Sequence, residues 1–265
     1  MKVGEHKGSR EAHEGCGCEQ PVAMMITHER PGFLLATVNS FRMTAPDVRL
    51  HVFDDGSHTE SKIAELEMVR RMGAVVIRLP HSGFANTWER AFDFARRSLV
   101  GYDSVIMLED DIVFAKGWLD VLKRMQRAIP ERGLKQDMTS CFRPHMELPS
   151  ESVSLGGVEA YASMAHSFQV NMMPFEVLNR MDVIEESVRE ANESNRGLGL
   201  DVYLVGNLAH RLHRTSFVST ASWVGHMGAC CTVVGKQGWG ACKHAGVNLV
   251  DELKSLEEPF VDARV

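Results

Sequence analysis

Four short apolar runs alternate with three helical stripes in the first half of the chain, and this rhythm narrows the possible folds more than any other feature. Val22 to Ile26, Val48 to Phe53, Ala74 to Leu79 and Ser104 to Leu108 read as strands. Between them, three sets of apolar residues recur at helical spacing: Leu34, Val38 and Phe41; Ile63, Leu66 and Val69; and Trp88, Ala91, Phe92, Ala95 and Leu99. Strands that return about every thirty residues with a helix between predict right-handed βαβ crossovers and a mostly parallel sheet. Capping-box spacings at Ser57 with Glu60 and Asn86 with Glu89 predict two of the helix starts, and Gly73 predicts a helix stop.

The rhythm breaks beyond residue 116. Trp118, Val121, Leu122 and Met125 predict a helix stopped by Pro130. An irregular stretch follows, then a helix from about Pro174 to Glu190. Gly197-Leu198-Gly199-Leu200 leads into Asp201 and a last helix reaching His210. The expected organisation is a charged leader over 1–19, a nucleotide-binding half over 20–115, a half receiving a second substrate over 116–230, and a tail over 231–265.

A chain of 265 residues that is 44% apolar can bury a sizeable core. Its net charge of −6 excludes binding polyanions through the whole surface, though not through a local basic groove. No stretch has the apolar length of a membrane span, and the polar first nineteen residues lack the core of a signal peptide, so a soluble, cytoplasmic protein is expected. Cys16, Cys18, Cys141, Cys230, Cys231 and Cys242 fit no secreted disulfide scaffold and are read as reduced thiols. A zinc site built from His13, His244 and the terminal cysteines is the alternative. The sequence does not reveal an oligomeric state.

Two acidic clusters fall where strands run out. Glu109-Asp110-Asp111 closes the fourth strand, and Asp54-Asp55-Gly56-Ser57 closes the second. Open α/β sheets bind ligands at the carboxyl ends of their strands. Three adjacent carboxylates repel one another, and Mg²⁺ or Mn²⁺ with a phosphorylated ligand explains them most simply. The plainer alternatives are solvated acids at a helix N-terminus for the triplet, and turn chemistry for Asp-Asp-Gly-Ser.

The order of four motifs, Thr27-His28-Glu29-Arg30-Pro31, Phe53-Asp54-Asp55-Gly56-Ser57, Leu108-Glu109-Asp110-Asp111-Ile112 and Trp223-Val224-Gly225-His226-Met227-Gly228, resembles inverting glycosyltransferases of the GT-A fold. The likeness is to N-glycan N-acetylglucosaminyltransferases and the broad family-two enzymes, and it spans about residues 21 to 228. The resemblance implies an α/β GT-A, Rossmann-like architecture in one compact domain. It also implies transfer of a sugar from a nucleoside-diphosphate sugar, most simply a UDP-sugar, to a hydroxyl acceptor, with Mn²⁺ or Mg²⁺ as cofactor.

By that resemblance Asp111 and His226 hold the metal, and Thr27, Arg30, Asp54, Asp55, Glu109 and Asp110 bind the nucleotide sugar. Gly228 would let the backbone fold over the diphosphate. Asp201 is the implied general base that takes the acceptor's proton, with a helix cap as its alternative and Glu147 and Glu159 as substitutes. Arg90 reads equally well as a surface ion pair. The basic run Ala209-His210-Arg211-Leu212-His213-Arg214 reads as a solvated face or, beside an acceptor groove, admits a phosphate-bearing acceptor, hydroxymethylated DNA bases included, which would have to be single-stranded or flipped.

Three other functions compete. A non-catalytic nucleotide-sugar or glycan-binding module would share the fold. A sugar-nucleotide pyrophosphorylase needs a glycine-rich basic loop that Thr27 to Gly32 does not form, and a dehydrogenase needs a Gly-x-Gly-x-x-Gly that is absent after the first strand.

Overall fold

The computed structural model describes residues 20–142, 151–163, 169–194 and 199–227. The expected leader and tail, the terminal cysteines and histidines, Glu147 and Gly228 lie outside the described residues. The first half is β1 (Pro21–Thr27), α1 (Phe33–Thr44), β2 (Arg49–Asp55), α2 (Glu60–Arg71), β3 (Val75–Leu79), α3 (Phe84–Ser98) and β4 (Ser104–Glu109). The second is β5 (Ile112–Phe114), α4 (Trp118–Glu131), β6 (Gln136–Ser140), β7 (Val153–Leu155), β8 (Val158–Ser163), β9 (Val170–Pro174), a 3₁₀ turn (Phe175–Asn179), α5 (Met181–Glu193), α6 (Leu200–Leu212), β10 (Thr215–Ser219) and β11 (Val224–His226).

One nine-stranded sheet, ordered β3-β2-β1-β4-β9-β6-β10-β8-β7, runs through both halves. β3, β2, β1 and β4 are mutually parallel. Antiparallel pairings enter at β9 and recur at β8, and every other strand keeps the common direction. β1 explains why its run is continuously apolar: all seven residues are buried, alternately on two faces. Ala23 and Met25 pack with α1, α2 and α4, whereas Val22, Met24 and Ile26 pack with α3, α5 and α6. The result is a helix-sheet-helix sandwich with both faces of the sheet covered.

Several local expectations are corrected. Helix α2 starts after Thr59, and Ser57 serves the preceding turn instead. Helix α3 starts after Gly83, which places Asn86 in its first turn, where the side-chain amide donates to the Ser82 carbonyl at 2.7 Å. The inward stripe of α2 is Lys62, Glu65, Leu66 and Val69, while Ile63 is exposed. Pro130 does not stop α4. It lies in the last turn, whose end is closed by Arg132 N–H on the Ile129 carbonyl and Gly133 N–H on the Pro130 carbonyl. Pro174 ends β9, and the segment expected to be one helix divides into the 3₁₀ turn and α5. Among the described residues no helix is long and apolar enough to cross a membrane.

Candidate active site

The acidic triplet sits at a bend between β4 and β5, and α1 hydroxyls satisfy the bent backbone. Thr37 Oγ1 donates to the Asp110 carbonyl at 2.8 Å and accepts the Ile112 N–H at 3.0 Å. Ser40 Oγ accepts the Phe114 N–H at 2.8 Å. β11 then pairs antiparallel with β5, placing His226 opposite Ile112, and Met227 N–H donates to the Asp111 carbonyl at 2.7 Å. This short ribbon brings a residue from the far end of the described chain to the triplet, so that His226 Nε2 lies 3.2 Å from Asp111 Oδ2.

The three carboxylates face different surroundings. Asp110 points inward: it accepts a short hydrogen bond from the Thr27 hydroxyl, pairs with Arg30 at 2.5 Å, and has Lys62 Nζ at 3.8 Å. Burial pushes its carboxyl up, with Arg30 opposing. Asp111 pairs with Arg30 at 2.6 Å, and although burial works against it, His226 and Arg30 hold its carboxyl below the ordinary value. Glu109 is pushed well up, first by burial and then by the charges of Asp111 and Asp201.

Glu109, Asp111 and His226 each present a ligand atom within 4.8 Å of the others. Asp111 Oδ1 is buried without a hydrogen-bond partner, an acceptor that such an environment leaves orphaned at a cost. Two carboxylates and an imidazole suit a hard to borderline divalent ion such as Mn²⁺. The residues present therefore fit the implied cofactor.

Asp54 and Asp55 end β2 one sheet position away. Asp54 is fully buried, accepting the Ser57 N–H at 3.3 Å and Arg78 Nε at 3.1 Å. Asp55 accepts the N–H groups of Ser82 at 2.8 Å and Gly83 at 3.0 Å, so it fixes the loop after β3. Gly56 is required at this turn, because its φ is 72° and a Cβ would lie 2.5 Å from the His81 nitrogen. His28 and His81 stack at 4.6 Å between ring centroids beside Asp55.

Asp201 lies in the first turn of α6, near enough to Glu109 to raise its proton affinity. Burial pushes the Asp201 carboxyl up to about 6, against backbone N–H groups of Val202 and Asp201 that favour its charge. Glu159 is exposed on β8 and accepts the Ser152 hydroxyl at 3.0 Å. Arg90 donates to the Pro80 carbonyl at 3.1 Å. In the basic run, Arg211 pairs with Glu186, and Arg214 pairs with Glu176 at 2.7 Å.

The sequence reading overlooked Thr37, Ser40, Lys62 and Glu65. The last two carried a signal: both fall on the stripe of Leu66 and Val69, where a buried ion pair is the only economical reading of charged residues.

No protein-family model and no curated protein matches the sequence. Solved structures do. GalNAc-T7 with UDP, GalNAc and Mn²⁺ aligns with a TM-score of 0.53 at 14% identity, over 78% of this chain and 43% of that one. S. aureus TarS aligns with a TM-score of 0.50, at 13% identity over 79% of this chain and 37% of that one. Its 1–349 fragment gives 0.50 at 14% identity, over 77% and 59%. The chain thus spans less than two thirds of the length of these neighbours. It has the GT-A fold, as a single mixed α/β domain.

Proposed function

We propose that the protein is a metal-dependent inverting glycosyltransferase, moving a sugar from a nucleoside-diphosphate sugar, UDP-sugars foremost, to a hydroxyl acceptor. The observation that carries this reading is the cluster of Glu109, Asp111 and His226 at the carboxyl end of β4 in a GT-A sheet, with Asp201 near enough to raise the Glu109 carboxyl. The UDP and Mn²⁺ in the GalNAc-T7 structure support the same class of donor and cofactor.

Asp111 and His226 would hold Mn²⁺ or Mg²⁺, with Glu109 facing the same space. The bound ion supplies Lewis-acid neutralisation of charge on the departing diphosphate. Asp54 and Asp55 fix the loops around the base and ribose, Thr27 orients Asp110 beside them, and Arg30 serves the nucleotide sugar. Asp201, its proton affinity raised into the working range, takes the acceptor hydroxyl's proton as that oxygen attacks the anomeric carbon from the face opposite the diphosphate. The acceptor, whether glycan, small molecule or modified DNA base, enters from the second half.

A thermal-shift panel of UDP, GDP and their sugars with and without Mn²⁺ tests this reading. Stabilisation by at least one of them, larger with Mn²⁺, is expected, and no shift with any pair opposes it. A Mn²⁺ titration of turnover assigns His226. His226→Ala should retain the fold and raise the Mn²⁺ concentration for half-maximal turnover, on the order of 10-fold or more. Lower turnover at unchanged metal demand would give His226 another role.

A further inference from the structure

Arg30 already occupies the carboxylate that an incoming ion would need. Its guanidinium bridges Asp110 and Asp111 at 2.5 and 2.6 Å with 23% of the side chain exposed. Asp111 Oδ2 serves both Arg30 and His226, while Oδ1 stays buried without a partner.

The backbone beneath Arg30 is locked. Lys62 Nζ donates to the Arg30 carbonyl at 3.0 Å and pairs with Glu65 at 2.9 Å, both side chains fully enclosed. Glu65 in turn accepts the N–H groups of Gly32 at 2.9 Å and Leu35 at 2.8 Å, holding the entry to α1. Glu29, at φ 46°, is clamped by the Thr59 hydroxyl at 2.6 Å and donates its N–H to Ser57 at 3.0 Å. The side chain of Arg30 takes no part in these backbone contacts and is held by Asp110 and Asp111.

We infer that Arg30 is a mobile counter-ion. It bridges Asp110 and Asp111, hinders a divalent ion from binding alone, and moves onto the donor's diphosphate when ion and nucleotide arrive together. This inference rests on the glycosyltransferase reading of the site. Buried carboxylates stripped of their partner are costly, so Arg30 leaves only when the ion replaces its charge. A guanidinium stripped of its carboxylates needs another anion, and a diphosphate matches its fork. Each ligand thus removes the penalty the other faces, and by linkage each tightens the other by the same factor.

The test is Mn²⁺ binding, followed by the paramagnetic resonance of the free ion, and UDP binding by calorimetry, on the full chain as wild type, Arg30→Gln and Arg30→Lys. Wild type should bind Mn²⁺ weakly alone and on the order of 10-fold or more tightly with UDP. Arg30→Gln should bind Mn²⁺ alone on the order of 10-fold tighter, because a cation is gone from beside the ion. It should also bind UDP in the presence of Mn²⁺ on the order of 10-fold more weakly, because the diphosphate has lost its fork. Arg30→Lys keeps the charge without bridging both carboxylates, so it should fall between, and it decides the matter if the Gln variant does not fold. A permanent structural clamp would weaken Mn²⁺ in every condition, and a purely phosphate-binding arginine would leave Mn²⁺ alone unchanged. Either result overturns the inference. If wild type takes up no Mn²⁺ even with UDP, the glycosyltransferase reading fails as well, which separates the two failures.

Discussion

Asp111→Asn is expected to abolish metal-dependent binding of nucleoside diphosphate while leaving the protein folded. Asparagine keeps the volume of the side chain, and Asp110 still anchors Arg30, so the bend between β4 and β5 keeps its packing and its α1 hydrogen bonds. The variant loses the charge that both His226 and Arg30 contact. A full charge beside a divalent ion at a partly dry site is worth several kcal/mol, so affinity for UDP or GDP in Mn²⁺ should fall on the order of 100-fold or more. Calorimetry with and without EDTA measures it. Wild-type affinity in the variant would remove the metal from the account.

Asp201→Asn should cut sugar transfer by a factor on the order of 10² to 10⁴ with donor affinity near wild type. It should also stabilise the protein, which a lost cap would not do. The folded carboxyl holds its proton up to about pH 6, against an ordinary value of 3.8. Between those values the folded state binds more protons than the unfolded one, so stability falls as pH rises through the window and the full cost is present above it. Asparagine removes that cost, so a gain of about 1 to 3 kcal/mol is expected at pH 7 to 8 and none near pH 3. Wild-type turnover should rise with pH through about 6 as the base loses its proton. Gly199 offers a companion test, since its φ of −79° suits any residue but a Cβ there would lie 2.4 Å from Asp201 Oδ1. Gly199→Ala should therefore lower transfer by moving the carboxylate without discharging it. Normal turnover in Asp201→Asn would return Asp201 to a helix-start role.

The first half of the fold was legible because βαβ units leave local marks. β1, β2 and β4 are strands packed from both faces, and the α3 stripe Trp88, Ala91, Phe92, Ala95 and Leu99 is buried as its spacing predicts. The second half depends on distant pairing. Nothing in Val224-Gly225-His226 announces a strand, which exists because β5 lies beside it, and nothing in Val170–Pro174 tells that β9 enters between β4 and β6. The acidic triplet was visible as a cluster, but its three side chains are chemically alike in sequence. Only the bend supported by Thr37 turns Asp110 toward Thr27, Arg30 and Lys62 and leaves Glu109 and Asp111 facing His226. Helix starts failed where Gly83 and Thr59, rather than a capping box, precede the first turn.

The central claim is that this site uses a divalent ion to activate a nucleoside-diphosphate sugar. The most direct measurement is release of nucleoside diphosphate by the purified protein from a panel of UDP- and GDP-sugars, with EDTA and then with Mn²⁺ restored. The account predicts slow release from at least one donor that EDTA abolishes, Mn²⁺ restores and Asp111→Asn does not support. Release that is indifferent to EDTA, or no binding of any donor at any Mn²⁺ concentration, would contradict it.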